Sequence, residues 1–259
     1  MRIIRSTAAF DAWILPLAVL ATWAALSASG ALNAYLLPPP QQIAAAALEL
    51  ATSGALIQHV SASAARAVFG FVFTALLALP LAALLASVPR WHTRLSLLLE
   101  FLRVVPPLAL IPLLILWLGI GEAAKLAIVA LSSFFPIFLN TLNGLSQGDA
   151  RWRELAASLE LSRLERFWHV RLPAALPAII TGLRLGFGYS WRALVGAELI
   201  AASAGLGFLI GEAAELARTD RVFVGIFAIA ALGIGGDLAF QWLARRCTPW
   251  AQAQEKSHG

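Results

Sequence analysis

From Trp13 to Leu243 the chain returns again and again to apolar runs. Most approach the roughly 20 residues that a helix needs to cross a bilayer. Between the fourth and fifth runs lies a stretch that hydrocarbon cannot hold. Arg151 to Pro173, RWRELAASLELSRLERFWHVRLP, carries Arg151, Arg153, Glu154, Glu160, Arg163, Glu165, Arg166, His169 and Arg171. Charges so closely spaced would each have to be desolvated in lipid. The segment therefore lies in water, as an exposed handle set between two crossings.

The runs predict six spans, at 13–32, 66–88, 104–118, 123–142, 174–202 and 222–243, in one all-α integral membrane domain covering 1–259. With 60% hydrophobic and 13% charged residues, the chain falls well short of the roughly 25% charge of soluble domains. Pro38, Pro39 and Pro40 end the first segment in an extended conformation, and 41–52 reads as an interfacial helix. Pro106, Pro107 and Pro112 bend the third span, because a proline frees carbonyls inside a membrane helix. The first run, behind Arg2 and Arg5, exceeds a signal-peptide core and is expected to be a retained helix.

Charge sets the orientation. With both termini cytoplasmic, the inner segments hold Arg2, Arg5, Arg90, Arg94, Arg245, Arg246, Lys256 and the arginines of 151–173. The outer segments hold only Arg66, Lys125, Arg218 and Arg221, which satisfies the positive-inside bias. The basic residues are dispersed at the ends of apolar runs, so the net charge of +5 marks topology and not a nucleic-acid surface.

Polar side chains inside spans are costly and seldom idle. The candidates for a solute path are Ser132, Ser133, Tyr189, Ser190, Arg192 and Glu198. A guanidinium fork suits an oxyanion, so Arg192 reads either as an anion contact or as a structural pair or snorkelling end. Six positions separate it from Glu198, too many for neighbours on one helical face, and each therefore meets a partner elsewhere. Glu198 reads as a gate or packing residue, or as half of a buried pair. Ser132 and Ser133 either line a cavity or permit close helix packing.

Glu154-Leu155-Ala156-Ala157 and, further on, Leu172-Pro173 resemble the loop motif of bacterial ABC importer permeases. Where that motif has Gly, six residues after its opening Glu, this chain has Glu160. Leu37-Pro-Pro-Pro-Gln-Gln-Ile43, Arg103-Val-Val-Pro-Pro-Leu-Ala109, Trp117-Leu-Gly-Ile-Gly-Glu122 and Ala197-Glu-Leu-Ile-Ala-Ala202 extend the likeness to the nitrate/sulfonate/taurine group. The resemblance implies a type I importer permease (MetI-like) fold. It also implies that Glu154, Leu155, Ala156, Ala157, Glu160, Leu172 and Pro173 couple to an ATPase. The expected assembly contains a second copy of the chain, two ABC ATPase subunits carrying ATP and Mg, a periplasmic or surface solute-binding protein, and the lipid of a bacterial inner membrane. The expected solute is a small sulfonate, taurine first, with nitrate or another alkanesulfonate as the alternative.

Other classes find little support. Neither Lys125 nor Lys256 follows Gly, so there is no P-loop. His59, His92, His169 and His258 are scattered, with neither a His-Glu-x-x-His pair nor a Gly-x-Ser-x-Gly elbow. One cysteine, Cys247, excludes an internal disulfide. A secondary transporter would need coupling carboxylates in mid-span, where only Glu198 and Asp237 offer themselves.

Overall fold

A computed structural model describes residues 4–146, 158 and 160–250, and every regular element among them is helical. The helices are α1 (Ile4–Ala28), α2 (Pro40–Thr52), α3 (Ala55–Ser87), α4 (Pro89–Val104), α5 (Ile111–Leu118), α6 (Glu122–Ser146), α7 (Arg163–Arg166), α8 (Leu172–Ala201), α9 (Leu206–Glu215) and α10 (Thr219–Cys247). Among the described residues four helices are long and apolar enough to cross a membrane: α3, α6, α10, and a continuous rod from Leu164 to Ala201 that contains α8. A fifth crossing exists if the bent pair Leu97–Val104 and Pro107–Leu118 is one span. The first expected span, 13–32, is shorter as an apolar helix, Ile14–Ala28. The chain leaves that helix at Ser29-Gly30, where Gly30 takes φ 72°.

The third span departs most from a straight crossing. Its halves meet at 81°, and the cause is local. A residue before proline is pushed out of the α region, and here two successive residues precede one. Val105 (ψ 120°) and Pro106 (ψ 123°) are both extended. The helix resumes as a 3₁₀ turn, Pro107–Leu110, before α5.

The expected span 174–202 differs at its beginning. Leu172-Pro173 does not close a loop but stands at the head of α8, with Pro173 in its first turn. Before it, a π-helical turn, Phe167–Arg171, joins α7 to α8 without a break. From Leu164 onward the end of the handle and the span are thus one rod.

The centre of the bundle is the α6–α8 pair, which small residues allow to close up. A Cβ on Gly182 would stand 2.7 Å from Asn140 Cβ, and one on Gly186 would stand 2.7 Å from Ile137 Cγ1. Around this pair, Phe71, Ala78, Ala82 and Leu85 of α3 pack on Ile137, Phe138 and Leu142 of α6. Helix α2 buries Ile43, Ala46 and Leu50 in a second core shared with Val129, Trp191, Leu206 and Val224. The outward faces carry Phe69, Leu76, Leu84, Ile226 and Leu238, an apolar exterior suited to lipid.

Candidate functional site

A cavity of about 560 Å³ opens beside the bend. Its walls are the crook of the third span (Arg103, Pro106, Leu108), α6 (Ser132, Phe135, Asn140) and α8 (Leu185, Tyr189, Arg192). The bend makes this space, because turning the chain at Val105–Pro106 carries its two halves off a common axis. Three of the expected path residues, Ser132, Tyr189 and Arg192, are brought together here. The Arg192 guanidinium lies over the Tyr189 ring, 5.9 Å from its centroid. Among the described residues it enters no ion pair. Ser132 Oγ is buried and has no hydrogen-bond partner among the described residues. Arg103, on the opposite wall, pairs with Glu100 three residues back, as their spacing predicts.

Ser133 and Ser190 are not in the cavity. Each is buried and turned onto its own helix, with Ser133 Oγ donating to Val129 O (2.7 Å) and Ser190 Oγ to Phe187 O (3.0 Å).

Glu198 points away from the cavity into a polar cluster at the opposite end of α8 from the handle. Its carboxylate is wholly buried and accepts from Ser63 Oγ (2.7 Å), Arg66 Nη1 (2.7 Å) and the Gly207 N–H (3.1 Å). The N-terminus of α9 supplies that amide, and a helix N-terminus favours an anion. Arg66 also donates to Ala204 O (2.6 Å) and grips Glu122 with two N–H groups (2.7 and 2.9 Å). Glu122 in turn accepts from the buried Lys125 (2.7 Å). Ser63 Oγ accepts from the Leu206 N–H (2.8 Å), and His59 Nδ1 accepts from the Gly205 N–H (3.1 Å). The cluster therefore bolts α3, α6, α8 and α9 together at one end. Arg66 and Lys125 read from sequence only as boundary charges; Lys125 pairs with Glu122 three residues back on α6, whereas the partners of Arg66 lie across the fold.

At the other end, Glu154, Leu155, Ala156 and Ala157 fall outside the described residues. Glu160 is described, at φ 51°, a left-handed conformation in which Gly is at ease and Glu is not. The departure from the loop motif thus falls on a residue whose backbone conformation suits glycine. Two residues on, Ser162 and Glu165 form a reciprocal cap: Ser162 N–H donates to Glu165 Oε2 (2.9 Å) and Glu165 N–H to Ser162 Oγ (3.3 Å). Arg171 then reaches across the bundle. Its Nη2 donates to Ala86 O (3.2 Å) and Leu145 O (3.0 Å), the free carbonyls near the ends of α3 and α6, where a cation is favoured. Arg171 therefore ties the ends of α3 and α6 to the start of α8.

Comparison with known proteins places this architecture. Residues 75–249 match the family described as binding-protein-dependent transport system inner membrane component. The chain is 42% identical to the putative aliphatic sulfonates transport permease protein of Escherichia coli (strain K12), over 93% of this chain and 92% of that one. It is 38% identical to the corresponding protein of Bacillus subtilis (strain 168), covering 93% and 88%. It is also 38% identical to the taurine transport system permease protein of Escherichia coli (strain K12), covering 90% and 87%.

Proposed function

The chain belongs to the family of binding-protein-dependent transport system inner membrane components and is an ABC importer permease of the sulfonate, taurine and nitrate group, and on that footing we propose that its own solute is a small aliphatic sulfonate, taurine being the first to test. It is a permease and not an enzyme. One chain supplies one wall of the passage and a second copy the other. Two separate ATPase subunits, which carry ATP and Mg, hold the 151–173 handles. A periplasmic or surface solute-binding protein delivers the solute to the outer ends, and both termini lie in the cytoplasm of a bacterium.

The observation that carries the solute reading is Arg192: a guanidinium at the wall of a 560 Å³ cavity, in no ion pair among the described residues, with the unpartnered Ser132 hydroxyl in the same wall. A sulfonate can present two of its three tetrahedrally arranged oxygens to such a fork, as a phosphate does. The mechanism is alternating access. ATP-driven closure of the ATPase pair draws the handles together. The rod from Leu164 to Ala201 moves as a unit, and Arg171 carries the ends of α3 and α6 with it. On this reading the motif residues Glu154, Leu155, Ala156, Ala157, Glu160, Leu172 and Pro173 are the ones that meet the ATPase.

The test is uptake of labelled taurine, methanesulfonate and nitrate by liposomes holding the permease, its ATPase and its binding protein. ATP-dependent sulfonate uptake that Glu154→Lys abolishes is the expected result. Uptake that persists without the ATPase would overturn the coupled reading. Uptake of nitrate alone would overturn the choice of solute.

A further inference from the structure

The open side of α8 carries a second arginine, outside the cavity. Arg184 grips Asp237 of α10 with two N–H groups, Nη2 to Oδ2 at 2.8 Å, and Gln241 Nε2 donates to the same Oδ2 at 2.8 Å. The two side chains are 46% and 41% exposed. Both lie within the expected spans: by a rise of about 1.5 Å per residue, Arg184 is about 15 Å along α8 from Ala174, and Asp237 about 9 Å along α10 from Leu243. Against a hydrocarbon layer about 30 Å thick, both distances put the pair inside the apolar layer. A half-exposed ion pair at that depth does not face lipid. It faces water or protein.

We propose that Arg184 and Asp237 form a second station for the anionic solute, one step inward of Arg192. The inference rests on the sulfonate reading above and names a further site on the same passage. Arg192, Gly188 and Arg184 follow at intervals of four residues, about 6 Å of rise and about 40° of turn each, so they share one side of α8. Gly188 has nothing within 4 Å of the Cβ it lacks, and the strip between the two arginines is therefore open. The cavity already reaches Leu185, the residue next to Arg184 in the chain.

The two stations differ in strength for a stated reason. Arg192 has no carboxylate partner and attracts an anion with its full charge. Arg184 is half neutralised by Asp237, while its Nη1 takes no part in that pair and keeps two N–H groups to offer. A conducting path needs sites strong enough to enter and weak enough to leave. Asp237 keeps the inner station weak, so the solute is passed on toward the Leu172 end.

Liposomes holding the full complex, fed labelled taurine through its binding protein, decide the matter. Asp237→Asn strengthens the inner site, so kcat and KM should both fall, kcat by about tenfold. The exchange Arg184→Asp with Asp237→Arg keeps the ion pair but turns a carboxylate toward the strip. Uptake should fall about tenfold while the melting temperature of the complex stays near wild type. Gly188→Leu leaves both charges in place and fills the strip, and it should lower uptake similarly. Wild-type uptake by the exchange variant, or by Gly188→Leu, would show that the pair only braces α8 against α10 and would overturn the proposal. If wild-type liposomes take up nitrate and no taurine, the sulfonate reading fails. The same variants read with labelled nitrate then decide the station by itself.

Discussion

Arg66 and Glu198 lie 132 residues apart in sequence and meet at 2.7 Å, with the carboxylate fully enclosed. Arg66→Met leaves the enclosed Glu198 carboxylate without its counter-charge, and a cost of about 3–5 kcal/mol is expected. Glu198→Ala should cost less, because Arg66 keeps Glu122 as a partner. Replacing both together should recover most of the Arg66→Met loss, because no buried carboxylate is then stranded. Melting of the purified chain in detergent measures both. A double variant no more stable than Arg66→Met alone would show that the cluster acts through packing alone.

Gly205 adjoins this pair and faces two constraints. Its φ is 132° and a Cβ there would overlap the Glu198 carboxylate. Gly30 shares only the first constraint, with φ 72° and nothing within 4 Å. Gly205→Ala should therefore prevent stable folding, whereas Gly30→Ala should cost about 1–2 kcal/mol, the strain of a left-handed L-residue. Expression yield and melting temperature separate the two. Equal effects would mean that the contact with Glu198 does not govern the fold.

Glu160 allows the opposite change. At φ 51° it bears a strain that Gly would relieve, offset in part by the greater freedom of Gly in the unfolded chain. Glu160→Gly should leave the complex as stable as wild type or raise its stability by less than about 1 kcal/mol. ATP hydrolysis driven by loaded binding protein should be kept. A loss of that stimulation would show that the Glu160 carboxylate itself touches the ATPase.

The apolar runs were legible because a span is a local property, about 20 neighbouring residues long. The special backbone at 160 was legible for a similar reason, since the departure from Gly marks one residue. The bend at Val105–Pro106 was half legible: prolines announce a kink, but its 81° follows from two extended residues in succession. Ser133 and Ser190 were not separable from Ser132, because a serine in any helix can turn onto the carbonyl one turn back. Only the neighbouring helices decide which hydroxyl does so. The polar cluster was least legible, since nothing near Arg66 in sequence points to Glu198 or to the amides of α9. Gly205 and Gly207, beside a buried carboxylate, were the one available hint.

Arg192 permits a cleaner test than most intramembrane charges. It is exposed in the single chain, its neighbour is the Tyr189 ring, and no described carboxylate depends on it. Removing it strands no partner, so Arg192→Ala should leave the melting temperature and assembly close to wild type. If the guanidinium meets the solute, KM for taurine uptake should rise by about tenfold or more, since a charged hydrogen bond contributes roughly 1.5–3 kcal/mol. Arg192→Lys keeps the charge and loses the fork, and it should fall between the two. A structural brace predicts another pattern, in which Ala lowers stability and uptake together and Lys restores both. Uptake kinetics and melting curves on the same three preparations tell them apart.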